Sequence, residues 1–148
     1  MFGSILVGTD GSETAATAVR HAIDLARELD ARLQIVSAYE PDSEQRSRDE
    51  QIEVPSDQQW TVSPRADVLD MLHNAQQEAE QAGVAQVETF ARQGDAADAI
   101  IDVAEEQRSD LIIVGNRGMT GAKRFLLGSV PNKVSHHAPC SVLIVRTT

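Results

Sequence analysis

The sequence predicts an α/β domain, an open sheet of five parallel strands with helices on both faces. Three observations carry this. Short apolar runs such as Ser4–Val7 (SILV) and Leu111–Val114 (LIIV) alternate with segments whose apolar residues recur at helical spacing. Neither tandem hairpins nor a short-period repeat interrupts that alternation, so the strands pair through right-handed crossovers and both sheet faces are covered. A chain of 148 residues fits one domain, spanning 1–148, able to bury roughly two-thirds of its unfolded surface.

The elements follow in order. Ser4–Val7 reads as a buried strand, and Gly8-Thr9-Asp10-Gly11-Ser12 as a turn leading to a helix capped by Ser12 or Thr14. That helix, about Thr14–Leu29, buries Ala15, Val19, Ala22, Ile23, Ala26 and Leu29 on one face. Arg32–Tyr39 is the second strand, ended by Pro41. A polar stretch at about 41–64 lacks periodicity and exceeds the usual loop length, which fits a functional flap or a disordered segment. Trp60 within it reads as a plug in a surface groove rather than a platform for a base. Arg65–Ala82 is an amphipathic helix with Gly83 as its C-cap, and Val84–Arg92 is the third strand. Gly94-Asp95 caps a third helix running to Gln107, with Ala96, Ile100, Val103 and Ala104 inward. Strand four is Leu111–Val114, a fourth helix covers about Val130–His137, and Ser141–Arg146 is strand five.

Charge divides the chain. The formal net charge is −10, yet residues 111–148 hold no Asp or Glu and five basic residues: Arg117, Lys123, Arg124, Lys133 and Arg146. Residues 1–110 thus carry all 23 acidic residues against 8 basic ones, a net of −15. This asymmetry points to an anion site in the last quarter and away from nucleic acid as a partner. An acidic surface with only two lysines among 13 basic residues suits concentrated salt, where charge is screened, and so a halophilic source. Cys140 is the lone cysteine, so no internal disulfide forms. The absence of a signal-like N-terminus, or of an apolar run near the ~20 residues a membrane helix needs, makes cytoplasmic the expectation, with no membrane partner.

Gly115–Ser129 (GNRGMTGAKRFLLGS) is the stretch that carries chemistry. A strand feeding a glycine-bearing loop and then a helix start builds an anion cradle. Glycines admit a phosphate close to the backbone, and the first helical N–H groups lack partners. Arg117, Lys123 and Arg124 add positive charge. In such sheets ligands lie beyond the C-terminal strand ends, where the winding reverses; Asp10, Ala38 and Gly115 each end or follow a predicted strand and so share that crevice.

Several familiar patterns are excluded. The ATPase P-loop needs Gly-Lys before Ser or Thr, but Ala122 separates Gly121 from Lys123. The first strand is followed by Gly8 and Gly11 only, not G-x-G-x-x-G. A phospho-receiver needs clustered acids after strand one and an Asp after strand three, where this chain has Asp10 alone and Gln93-Gly94. His136-His137, adjacent on a helix, do not face one another and read as a helix-end pair rather than metal ligands. Cys140 reads as a small core residue, and His21 and His73 have no companion motif.

The spacing Gly115, two residues, Gly118, nine residues, Gly128-Ser129 resembles the ATP-binding signature of the universal stress protein family. The likeness extends through ILVGTDGSETAATAV, SDLIIVGNRG and LLGSV…HHAPCSVLIV, covering nearly the whole chain except about 41–64. It implies a Rossmann-like sheet in the order 3-2-1-4-5 holding ATP, or AMP or ADP, at the C-terminal strand ends. Asp10 then matches the acid that contacts the nucleoside, and Ala38 the backbone position that reads the adenine edge. Gly115 and Gly118 stand beside ribose and phosphates; Gly128, Ser129 and Val130 form the phosphate-binding helix start. Gly8 lies near the adenine where some members have proline. Arg117 and Lys123 are added from charge, and Thr9 and Val114 as flanking positions. The resemblance also implies a two-fold homodimer through the edge strand Ser141–Arg146, whose unpaired backbone invites a second copy.

The acid-free loop offers no base near a γ-phosphate, and Mg²⁺ or Mn²⁺ would be held mostly by phosphate oxygens and water. The expectation is a nucleotide-dependent regulatory module with little or no hydrolysis, read by an unidentified protein partner. A slow ATPase or nucleotide-dependent transferase completed by a partner, and a non-nucleotide member acting through dimerisation alone, are the alternatives.

Overall fold

The computed structural model describes residues 2–39, 65–116 and 128–147. The element order is β1 (Ser4–Gly8), α1 (Glu13–Leu29), β2 (Arg32–Tyr39), α2 (Arg65–Gln81), β3 (Val87–Gln93), α3 (Ala96–Gln107), β4 (Leu111–Gly115), α4 (Ser129–His137) and β5 (Ser141–Val145). All strand pairs are parallel, and the five-stranded sheet has the order β3-β2-β1-β4-β5. The expected class and strand order are both found. The polar stretch 41–64, with Trp60, lies outside the described residues.

Local chemistry sets the element ends. Ser12, not Thr14, is the N-cap of α1, its hydroxyl accepting from Ala15 N–H at 3.2 Å, so the helix starts at Glu13. Asp95 does the same for α3 by accepting from Asp98 N–H at 3.0 Å. The third strand starts later than expected, at Val87. Gly83 takes φ 106°, and Val84 N–H bonds back to Ala79 C=O at 3.1 Å, which uses Val84 to close α2 rather than to open β3. Val84 is buried all the same, beneath that helix.

Successive strand residues point to opposite faces, and both faces are packed. Ile5, Val7, Leu33, Ile35, Leu111 and Ile113 meet α1 and α2 in one cluster. Leu6, Val36, Ile112 and Val114 meet α3 and α4 in the other. Each fully buried aliphatic side chain contributes roughly 1.5–3 kcal/mol of transfer free energy. This explains why the central strands β1 and β4 read as apolar runs, while the edge strand β3 does not and β2 holds the buried polar residues Gln34 and Ser37. Gln34 is fully buried in β2, its Oε1 accepting from Ser4 Oγ at 3.0 Å and Ser109 Oγ at 3.3 Å.

Candidate functional site

The sheet parts where its winding reverses. β1 and β4 pair only from Ile5↔Leu111 to Val7↔Ile113, whereas β4 stays paired to β5 as far as Gly115↔Val145. Beyond Val7 and Ile113 the two central strands diverge. β2 likewise outruns β1, whose last register partner is Gly8↔Val36, so residues 37–39 have no strand beside them on that side. Gly8, Thr9 and Asp10 at and after the end of β1, Ala38 near the end of β2, and Val114 and Gly115 at the end of β4 therefore lie at one end of the sheet, the end where a crevice is expected.

Two helices begin beside the end of β4, and they differ. The start of α1 is occupied: Ser12 caps it, Glu13 lies in its first turn, and Thr14 C=O stands 3.9 Å from where a side chain on Gly115 would begin. Thr9 is buried, its N–H bonded to Val36 C=O at 3.0 Å and its Oγ1 accepting from Gly11 N–H at 3.1 Å. Asp10 is half-buried and accepts from Ser12 N–H through Oδ1 at 3.0 Å, bracing the turn. Gly11, at φ 82°, is the residue that lets the chain fold back into α1.

The start of α4 has no side-chain cap among the described residues. Gly128 is its N-cap and supplies no side-chain hydrogen bond, and no acid sits in the first turn. Gly128 C=O accepts from Asn132 N–H at 3.1 Å, which begins the helical ladder, and Pro131 fits the first turn because it has no N–H to satisfy. The N–H groups of Ser129 and Val130 have no acceptor within the helix. Ser129 is exposed and Val130 is buried against α3, so the turn is anchored on one side and open on the other. Anions are favoured at such an end by about 0.3–1 kcal/mol at an exposed surface and more where partly buried.

Of the basic residues expected near the anion site, Arg117 and Lys123 lie outside the described residues, as does Gly118. Lys133 is turned elsewhere. Its Nζ sits 2.9 Å from Asp98 Oδ1 and 3.4 Å from Asp95 Oδ2, tying α4 to the start of α3. The hydrogen bond to Asp98 is the chief reason its pKa stands above the ordinary lysine value. His136 Nδ1–H donates to Asn132 C=O at 2.8 Å.

Asn116 was missed by sequence reasoning and closes the site from behind. It is buried, and its backbone C=O accepts from Gly128 N–H at 2.9 Å. Its side-chain oxygen accepts from Thr147 N–H at 2.8 Å and Thr147 Oγ1 at 3.0 Å. Its position between two glycines of the signature was the available signal, but residue type alone does not reveal partners 31 positions away.

The sequence model of the universal stress protein family matches residues 1–146. The chain belongs to the universal stress protein family. It is similar to universal stress protein Rv1636 of Mycobacterium tuberculosis, 39% identical over 148 residues that cover 99% of this chain and 98% of the relative. Universal stress protein YxiE of Bacillus subtilis is 38% identical over 149 residues, covering 99% and 100% of the two chains. Among solved structures, a universal stress protein in complex with cAMP superposes with a TM-score of 0.75 at 31% identity, over 99% of this chain and 98% of that one. Of the glycine signature, Gly115 ends β4 and Gly128 is the N-cap of α4. An open groove of about 660 Å³ lined by Arg32, Glu80 and 84–88 lies at the other end of the sheet and shares no residue with the signature.

Proposed function

We propose that this universal stress protein binds an adenine nucleotide, ATP foremost, across the crevice between β1 and β4, and acts as a nucleotide-dependent regulatory module. The start of α4, with Gly128 as its N-cap and no acid in its first turn, next to the end of β4 is the observation that carries the reading. Such an N-terminus at the switch point of the sheet suits a phosphate chain. The superposable relative in complex with cAMP supports an adenine nucleotide as the class.

In this reading Asp10 and the backbone of Ala38 hold the nucleoside, with Gly8 and Thr9 beneath it. Val114, Gly115 and Gly118 border the ribose and phosphates, and Gly128, Ser129 and Val130 receive the phosphates together with Arg117 and Lys123. Mg²⁺ or Mn²⁺ enters as the nucleotide's counter-ion, held by phosphate oxygens and water. Among the described residues no group of three His, Cys, Asp or Glu side chains comes together to cage it. Hydrolysis is slight, the protein works in the cytoplasm as a homodimer through β5, and a protein partner reads its occupancy.

Gly128→Asp tests the site. Gly128 has an extended backbone (φ −66°, ψ 168°) that any residue adopts, and Asp is a strong N-cap. The thermal midpoint is therefore expected to hold or rise, while a carboxylate against the triphosphate weakens ATP binding by about tenfold or more in calorimetry. Lack of saturable binding by the wild-type protein at millimolar ATP would sink the reading. Labelled ATP incubated with Mg²⁺ is expected to persist; sustained turnover abolished by Ser129→Ala would make the protein an enzyme instead.

A further inference from the structure

We infer that Asn116 is a positioning residue coupling the chain beyond β5 to the phosphate end of the nucleotide site. This rests on the nucleotide reading above and adds to it a route by which the sheet edge governs the site.

One residue here touches three parts of the fold. The N–H of Asn116 donates to Val145 C=O at 2.8 Å, so it is held by the last residue of β5. Its C=O receives Gly128 N–H at 2.9 Å, so it sets the N-cap of α4. Its side-chain oxygen takes both donors of Thr147. Thr147 in turn lays its methyl carbon Cγ2 against Gly115, 3.3 Å from where a Cβ would stand. A polar side chain at 8% exposure is costly unless bonded, and here its oxygen ties the end of β4 to the residue two places beyond the end of β5.

The consequence is directional. Removing the side-chain oxygen takes from Thr147 the acceptor of its N–H and its Oγ1 and so loosens the chain after β5 at the end of β4. The backbone of 115–116 then loses its outer support, and the N-cap it holds shifts with it. That misaims the open N–H groups of Ser129 and Val130, which face the phosphates. Asp10, after β1, and Ala38, on β2, take no part in the hydrogen bonds just described. The loss therefore falls on the phosphates and spares the nucleoside. By linkage, phosphate occupancy also steadies the residues following β5.

Calorimetry with ATP and with adenosine on the full chain separates the possibilities. Asn116→Ala is expected to weaken ATP about five- to tenfold, the loss of two hydrogen bonds, and adenosine less than about twofold. Thr147→Val keeps the shape and the backbone N–H but removes one donor, and is expected to show a smaller loss with the same selectivity. In the nucleotide-free protein, hydrogen exchange at Gly128 quickens in Asn116→Ala and is restored in Asn116→Asp, whose carboxylate keeps the acceptor. Equal losses for ATP and adenosine, or no loss for either, overturn the coupling while leaving the site intact. Failure of the wild-type protein to bind either ligand overturns the site reading and the coupling with it. Should Asn116→Ala not fold, Thr147→Val decides by the same comparison.

Discussion

Arg108 ends α3 with φ 52°, and Asp30 ends α1 with φ 54°, both in the left-handed region. In each the backbone N–H closes the helix onto two carbonyls, Ala104 and Glu105 for Arg108, Ala26 and Arg27 for Asp30. A Cβ in this conformation costs roughly 1–2 kcal/mol, less for Asp, while glycine adds unfolded-state entropy. Arg108→Gly is therefore expected to gain about 0.5–1 kcal/mol in urea unfolding, and Asp30→Gly less. Cys140 is half-buried, and burial, with a smaller contribution from the charge of Asp110, pushes its thiol up. Its thiolate is scarce at pH 8, so alkylation by iodoacetamide should run slower than for a free cysteine. Unfolding in guanidinium should restore the ordinary rate.

At the scale of elements, β5 is one of the two sheet edges, with β3 at the other. Within β5 only Val145 is buried, and Leu143 is 41% exposed. An edge strand this apolar matches the proposed pairing with a second copy. Light scattering is expected to give twice the 16.0 kDa chain mass, and Leu143→Arg to return the single-chain mass with an unchanged circular dichroism spectrum. The tie between α4 and α3 has its own pH signature. Because the Lys133 pKa is raised in the folded protein, the tie is fully present below the usual lysine value of about 10.4 and is lost as pH rises through the higher folded value. Lys133→Gln should lower the thermal midpoint slightly at pH 8, and the difference should close at strongly alkaline pH.

For the whole molecule, charge is the governing quantity. A net of −10, with the excess of acids in residues 1–110, makes the folded state repel itself. Raising sodium chloride from about 0.05 M to about 1 M, which cuts the screening length several-fold, is expected to raise the thermal midpoint. The same salt weakens a phosphate held by cations and helix N–H groups, so ATP affinity should fall while stability climbs. A midpoint that drops with salt would show that attractive ion pairs, not repulsion, dominate the surface.

The amino-acid sequence by itself determined the architecture, because burial on both faces writes itself locally as runs like SILV and LIIV and as the helical spacing of Val19, Ala22, Ile23 and Ala26. The spacing of Gly115, Gly118 and Gly128-Ser129 likewise carries the family resemblance, since the placing of glycines is a property of the chain itself. Only the tertiary structure decided which side chains answer one another across elements. Gln34 in an apolar run finds Ser4 and Ser109, Lys133 turns from the anion end to Asp95 and Asp98, and Val84 serves the helix before it rather than the strand after it. The role of Asn116 depends on β5 lying beside β4 and on α4 starting over both. Periodicity reports how often a residue is buried along its own element; a hydrogen-bond partner dozens of residues away is fixed by the register between elements.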